Sequence, residues 1–341
     1  MNLDAVAAHL LPLYPRGLGH TPIMSSCEVP SKVVSIDTNG NCFLCRCAAW
    51  LPVTVGNILS FNSLEDIWNC STAKGLQDDI AQKKYTYCAV KHCGVTKRDM
   101  YLHDIRYQIS LDIDESCNLA CPSCRTSQIS HTKGVIFEEK TTYINHFLAL
   151  LDQFDKPLNL TMCGNGDPLA SMSFRPLVLG WIPKVGQTVE LFTNGLLMKK
   201  FLPNSDILPN ISKFQISIDA GSQSVYEVVR WPGKFTALQE NLQWLVNNRP
   251  QHSVVVLNFC ISKNNAADII NFANLCSKYK FKGYLSKLEN WRTFADFDDH
   301  DVIGNINHPM RDQVLADLSL VMEMQHITLN SLLIDMIEMN L

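Results

Sequence analysis

The chain has 341 residues, 46% of them hydrophobic and 18% charged, with a net charge of −4. This is the composition of a soluble globular protein with a full core, and its scattered lysines and arginines leave no basic footprint for nucleic acid. No apolar run approaches the roughly 18–20 residues needed to span a bilayer. The opening MNLDAVAAHLLPLYPRG lacks a basic leading region and contains Asp4, His9 and Pro12. It reads as a short helix or tail rather than a signal peptide, and a cytoplasmic location is expected.

Residues 1–30 form an extension, followed at 31–106 by short elements and five clustered cysteines. A helix is predicted over Ser63–Trp68, with Ser63 as N-cap and Asp66 three residues on, and another over Ala73–Gln82. This is little regular structure for an independent core, and a metal would supply the missing stabilisation.

From Tyr107 the pattern changes. Strands are predicted at Tyr107–Ile113, Leu158–Cys163, Thr188–Thr193, Phe214–Asp219, Ser253–Ile261 and Gly283–Leu288. Helices are predicted between them near 137–152, 172–181, 196–202, 235–248 and 265–279. Strands interleaved with helices predict an α/β fold with a parallel sheet. Runs as apolar as SVVVLNFCI read as covered on both faces. The polar and glycine-rich turns ESCNLACPSC, GNGDP, TNG, AGSQ and SKNN all follow strands, where α/β barrels build their sites. A six-unit partial barrel of the TIM type over 107–295 fits best, with a doubly wound open sheet as the alternative. Residues 296–341 are predicted to be helical, with Val314, Leu315, Leu318 and Val321 at helical spacing.

Thirteen cysteines are unexpected as disulfides in a reducing compartment, and their clustering favours metal. Cys117, Cys121 and Cys124 stand as CNLACPSC directly after a predicted strand. Three thiolates at this spacing suit three irons of a [4Fe–4S] cubane and leave the fourth iron open to a small molecule. Zinc prefers four ligands, and His131 is the nearest further candidate.

This spacing after a first strand resembles the radical S-adenosylmethionine (SAM) superfamily. The similarity extends to NGDP at Asn165, Gly166, Asp167 and Pro168, which is similar to the family's GGEP, whose backbone carbonyls hold the SAM amino group. It also covers TNG at Thr193–Gly195, including Asn194, and SIDA at Ser217–Ala220, including Asp219. By this resemblance Ser217 and Arg230 lie towards the SAM carboxylate and ribose. Glycines 164 and 166 let backbone approach a ligand closely. Two positions depart from the family: Ser123 precedes the third cysteine where an aromatic residue is common, and Asp167 stands where Glu is usual. The resemblance implies reductive cleavage of SAM at the [4Fe–4S] cluster. The resulting 5′-deoxyadenosyl radical takes hydrogen from a peptide, protein or small-molecule substrate. A flavodoxin or ferredoxin is the expected reductant, and no nucleic acid or membrane partner is expected.

The earlier segment, NGNCFLCRCAAWLPVTVGNI, then SLEDIW, then YTYCAVKHC, resembles the SPASM-type auxiliary cluster module, here placed ahead of the barrel rather than after it. Cys45, Cys47, Cys88 and Cys93 are the candidate ligands of an auxiliary [4Fe–4S] cluster, with Cys42 able to replace Cys45 or Cys47. Zinc is the alternative. Trp50 and Trp68 read as core, and His92 as a surface residue. Cys163, Cys260 and Cys276 read as ordinary core thiols, while Cys163 or Cys260 facing a lumen is placed to donate hydrogen. Glu289, Trp291 and Arg292 follow the last strand, either as substrate contacts or as surface loop. The competing function is a non-catalytic iron–sulfur electron carrier or scaffold, which the intact NGDP, TNG and SIDA segments argue against.

Overall fold

The computed structural model describes residues 27–45, 51–89, 93, 106–163 and 165–338. Cys47, Trp50, His92, Gly164 and the N-terminal stretch lie outside them. The chain divides into two compact units. The first comprises Met1–Ile113, Val135–Asn165 and Pro183–Thr188; the second comprises Asp114–Gly134, Gly166–Ile182 and Val189–Leu341.

In the first unit the strands are β1 (Val33–Ile36), β2 (Asn41–Phe43), β3 (Thr54–Asn57), β4 (Tyr107–Leu111) and β5 (Leu158–Met162), in the spatial order β5-β4-β1-β2-β3. β4 and β5 pair in parallel, Tyr107 opposite Leu158. β1 lies parallel to β4 along its whole length, Val33 opposite Gln108, and β2 and β3 continue as antiparallel neighbours. The cysteine-rich segment therefore extends the sheet that begins at Tyr107 instead of standing apart from it. β1 is buried on both faces, which explains how so short a segment finds a core: it shares one. Trp68 seals the junction, with its ring 4.8 Å from that of Tyr107 and its Nε1–H donating to the Val33 carbonyl at 3.3 Å.

The helix carrying Trp68 spans Leu64–Asn69 and begins as its sequence predicts. The Asp66 N–H donates to Ser63 Oγ at 3.2 Å, and the Ser63 N–H donates to Asp66 Oδ2 at 2.9 Å, closing a capping box. A second helix, Ser71–Ala81, follows directly. The long helix Val135–Asp152 buries Tyr143, Ile144, Phe147, Leu150 and Leu151, a face with helical periodicity.

In the second unit the strands are β6 (Gln187–Thr193, from Val189 on), β7 (Ile211–Ser217), β8 (Val254–Ile261), β9 (Lys282–Lys287) and β10 (Ile327–Leu329), in the order β10-β9-β8-β7-β6. All four pairings are parallel. The helices Phe235–Asn248 and Ile269–Tyr279 connect consecutive strands, so the α/β alternation read from the sequence is the one observed. A helix over Gln223–Val229 and the short strand β10 were not predicted. Helix Arg311–Met322 buries Val314, Leu318 and Val321.

The strands are not apolar on both faces. In β6 to β9 one face is fully buried and its alternate is half-buried. The half-buried face includes Glu190, Gln215, Asn258 and Ser286, with Gln215 Nε2 donating to Glu190 Oε1 at 2.8 Å. Alternation survives because this face, which mixes these polar residues with Phe192, Val256 and Tyr284, retains some access to solvent.

Candidate metal and cofactor site

The second unit gathers three turns. Cys117, Cys121 and Cys124 lie on the loop Asp114–Gly134, Gly166 to Pro168 on the next turn, and Asn194 after β6. The cysteine loop is internally ordered. The Cys124 and Arg125 N–H groups both donate to the Cys121 carbonyl, at 2.9 and 3.0 Å, while the Cys117 N–H donates to Ile129 O at 2.9 Å and the Ala120 N–H to Trp231 O at 2.8 Å. Asp114 braces the start of the loop. Its Oδ1 accepts both the N–H and the hydroxyl of Ser116 at 3.0 Å, and its Oδ2 accepts the Ser171 hydroxyl.

Gly166 is required by close approach. A Cβ at this position would overlap the Ser116 carbonyl oxygen and stand 2.6 Å from Glu115 C. Asp167, 2% exposed, ties all three turns together. Its N–H donates to Ser116 O at 2.8 Å. Its Oδ1 accepts the Leu169 N–H at 2.9 Å, and its Oδ2 accepts the Asn194 N–H at 2.7 Å and the Thr193 hydroxyl at 2.9 Å. The carboxylate is thus fully engaged inside the protein, which fits the shorter Asp better than a free arm would. Asn165 is exposed and Pro168 buried.

Each of the three thiols has a nearby nitrogen donor. Cys117 Sγ accepts the Leu119 N–H at 3.4 Å, with Asn194 Nδ2 at 3.8 Å. Cys121 Sγ faces Arg230 Nη1 at 3.7 Å. Cys124 is hydrogen-bonded by the Arg125 guanidinium. Burial pushes the Cys117 thiol up to about 11, and the neighbouring Asp167 carboxylate adds to the rise. A thiol held this high binds metal only with release of its proton.

Arg230 is committed to Asp219, with Nη2 2.5 Å from Oδ2 and both side chains largely buried. Asp219 adopts a left-handed backbone, φ +51°. Its Oδ1 accepts the Cys260 N–H at 2.7 Å and its carbonyl accepts Asn265 Nδ2 at 3.0 Å, so it latches the end of β7 to β8. Ser217 ends β7 half-buried. Three buried polar atoms have no hydrogen-bond partner here, Arg230 Nε, Tyr226 Oη and His131 Nε2. Tyr226 is close enough for the charges of Arg230, Cys121, Asp219 and Asp167 to act on it. Orphaned buried donors beside three thiols, next to a glycine cradle, fit a bound group that presents acceptors. His131 donates its backbone N–H to Ser116 Oγ at 2.8 Å.

In the first unit, Cys88 is pushed up to about 12 by burial and by the neighbouring thiols of Cys27, Cys45 and Cys93. Cys27, outside the ligand set expected from the sequence, is therefore one of the thiols near enough to Cys88 for its charge to act there. Cys42 points elsewhere. It is fully buried, its Sγ faces Gly40 O at 3.9 Å, and its charged neighbours are Asp37 and Cys70. Among the described residues no three His, Cys, Asp or Glu side chains are placed for a single metal ion. A cubane differs in spreading its thiolates over separate corners.

Also in the first unit, Cys163 Sγ donates to Asp112 Oδ1 at 2.8 Å beside Ser110 and Ser35. In the second, Cys260 Sγ faces Lys287 O at 3.6 Å and Cys276 is fully buried. Glu289, Trp291 and Arg292 are exposed loop residues. Besides Cys27, sequence reading missed Arg125 and Tyr226; for Arg125 the available signal was adjacency to Cys124. Among the described residues no helix is long and apolar enough to cross a membrane.

Comparison with known proteins matches part of the chain to a family model. The model of SPASM, an iron–sulfur cluster-binding domain, matches residues 27–94, beginning at Cys27. No curated protein matches the chain. Among solved structures, TYW1 with a lysine–pyruvate adduct bound is 17% identical, over 61% of this chain and 70% of that one, at a TM-score of 0.39. Streptococcus suis SuiB bound to S-adenosylmethionine is 12% identical, over 80% of this chain and 58% of that one, at 0.43. The same coverage and score hold for SuiB bound to its precursor peptide SuiA. The chain thus spans just under three fifths of SuiB's length. Residues 27–94 are thus similar to a SPASM iron–sulfur cluster-binding domain, and the Cys-x3-Cys-x2-Cys segment at Cys117, Cys121 and Cys124 follows them in sequence.

Proposed function

We propose that this chain is a radical SAM enzyme, with a [4Fe–4S] cluster on Cys117, Cys121 and Cys124 and an auxiliary [4Fe–4S] cluster in its SPASM domain. In this reading the parallel strands are the staves of the superfamily's partial (β/α)6 barrel. When bound, the cluster and SAM together supply one-electron cleavage of a carbon–sulfur bond and a 5′-deoxyadenosyl radical. The chain's own residues do the rest.

The observation that carries the reading is Asp167, whose backbone and carboxylate join the cysteine loop, the NGDP turn and the TNG turn in one hydrogen-bonded unit. Gly166 keeps the space beside Ser116 free of side chain, leaving main-chain atoms for the SAM amino group. Arg230 and Tyr226, with unspent donors, would hold the anionic end of that ligand. Asn194 and Ser217 line the same strand ends. For the auxiliary cluster, Cys27 joins Cys45, Cys88 and Cys93 as a ligand, with Cys47 as an alternate. The substrate is a peptide, a protein side chain or a small molecule, and a flavodoxin or ferredoxin provides the electron.

The test is anaerobic reconstitution with iron and sulfide, followed by SAM and a strong reductant. Release of 5′-deoxyadenosine is the expected result. Both clusters loaded and reducible, with no release, would make the chain an electron carrier instead.

A further inference from the structure

Resting on that reading, we infer that Arg125 is a positioning residue for the SAM cluster. Its guanidinium is a strap tying the carbonyl of Glu115 to the sulfur of Cys124, and a fixed cation that raises the cluster's reduction potential.

The geometry leaves this side chain little alternative. Its own N–H and that of Cys124 both end on the Cys121 carbonyl, so residues 121–125 form one tight turn. From that turn the guanidinium reaches back ten residues. Arg125 Nη1 donates to Glu115 O at 2.7 Å, just ahead of the first cysteine, while the same group hydrogen-bonds the Cys124 side chain. The strap spans the whole ligand segment, fixing its first end to its last. A planar fork with several fixed donors can hold a carbonyl and a sulfur at once.

Its charge also differs in effect from that of the other arginine at the site. Arg230 faces Cys121, but Asp219 at 2.5 Å already offsets it. Burial works against the Arg125 charge, and the groups that favour it are the sulfurs of Cys124, Cys117 and Cys121, with no carboxylate among them. Hydrogen bonds to cluster sulfurs and nearby charge set the potential of an iron–sulfur centre, and a cation favours the form carrying the extra electron.

The test compares the reconstituted full-length wild type with Arg125→Met and Arg125→Lys. Two quantities are measured without SAM: the midpoint potential of the three-cysteine cluster by EPR-monitored titration, and its rate of iron loss to a chelator. The auxiliary cluster signal is the internal control for folding. Arg125→Met is expected to lower the potential and to speed iron loss about 10-fold, the low end of what outer-shell partners of metal ligands command. Arg125→Lys is expected to hold the potential near the wild-type value while still losing iron faster, because a point charge replaces the fork. Wild-type potential and iron retention in Arg125→Met overturn the inference. So does an equal fall in potential in both variants, since charge would then not be the cause. If Arg125→Met loses the auxiliary signal too, Arg125→Lys decides alone: unchanged iron loss there overturns the strap. A wild type with no cubane on Cys117, Cys121 and Cys124 overturns the functional reading itself, an outcome distinct from a cubane indifferent to Arg125.

Discussion

The Asp167 carboxylate accepts the backbone N–H of Asn194 at 2.7 Å while its own N–H donates to Ser116 O at 2.8 Å, so the turn after β6 is held through Asp167 to the loop bearing the three cysteines. Asn194 continues the chain of contacts, donating from Nδ2 to Asn118 Oδ1 at 2.8 Å, within the cysteine motif itself. A buried carboxylate with three donors organises the site.

Removing that carboxylate orphans those donors. Asp167→Ala is expected to cost about 3 kcal/mol of stability, since buried donors lose a charged acceptor. Urea unfolding midpoints of metal-free wild type and variant measure this. A loss below about 1 kcal/mol would mean that water replaces the carboxylate at little cost.

Two glycines in the second unit give a matched pair. Gly166→Ala drives a methyl into the backbone of Glu115 and Ser116, where no side-chain rotation relieves it, whereas a Cβ at Gly180 meets nothing within 4 Å. Gly166→Ala is expected to lose about 1–3 kcal/mol and to lower iron bound per chain. Gly180→Ala should match wild type in both. Equal thermal midpoints and iron contents for the two variants would show that the loops separate in solution.

Iron content also distinguishes Cys27 from Cys42. Cys27→Ser should lose roughly half of a full complement of two cubanes, while Cys42→Ala should retain its iron and lose about 1 kcal/mol as a core substitution. The reverse pattern would return Cys42 to the ligand set.

A pH effect follows from Asp112. Burial raises its carboxyl above the ordinary carboxylate range, opposed by hydrogen bonds from Cys163 and Ser35. Between the ordinary value and the raised one, the folded chain holds a proton that the unfolded chain has lost. Its contribution to stability is therefore complete below that window and declines as pH rises through it. In metal-free protein, Asp112→Asn should flatten this decline from about pH 4 upward. Identical pH profiles of the urea midpoint in wild type and variant would remove Asp112 as its source.

The local periodicities of the chain determined β4 to β9, most of the helices between them and the Ser63 cap, because each depends on residues two to four apart. The spacing of Cys117, Cys121 and Cys124 was legible for the same reason. Tertiary structure alone decided that β1 would join β4, so that the cysteine-rich segment borrows a core. It also decided that Cys27 would lie near enough to Cys88, more than sixty residues on, for their charges to interact, and which face of β6 to β9 would keep some access to solvent. Arg125 stood beside Cys124 in plain view, but its reach back to Glu115 depends on how the turn at Cys121 closes. Such pairings are set by backbone paths that bring distant residues together, and no short-range pattern of polarity records them.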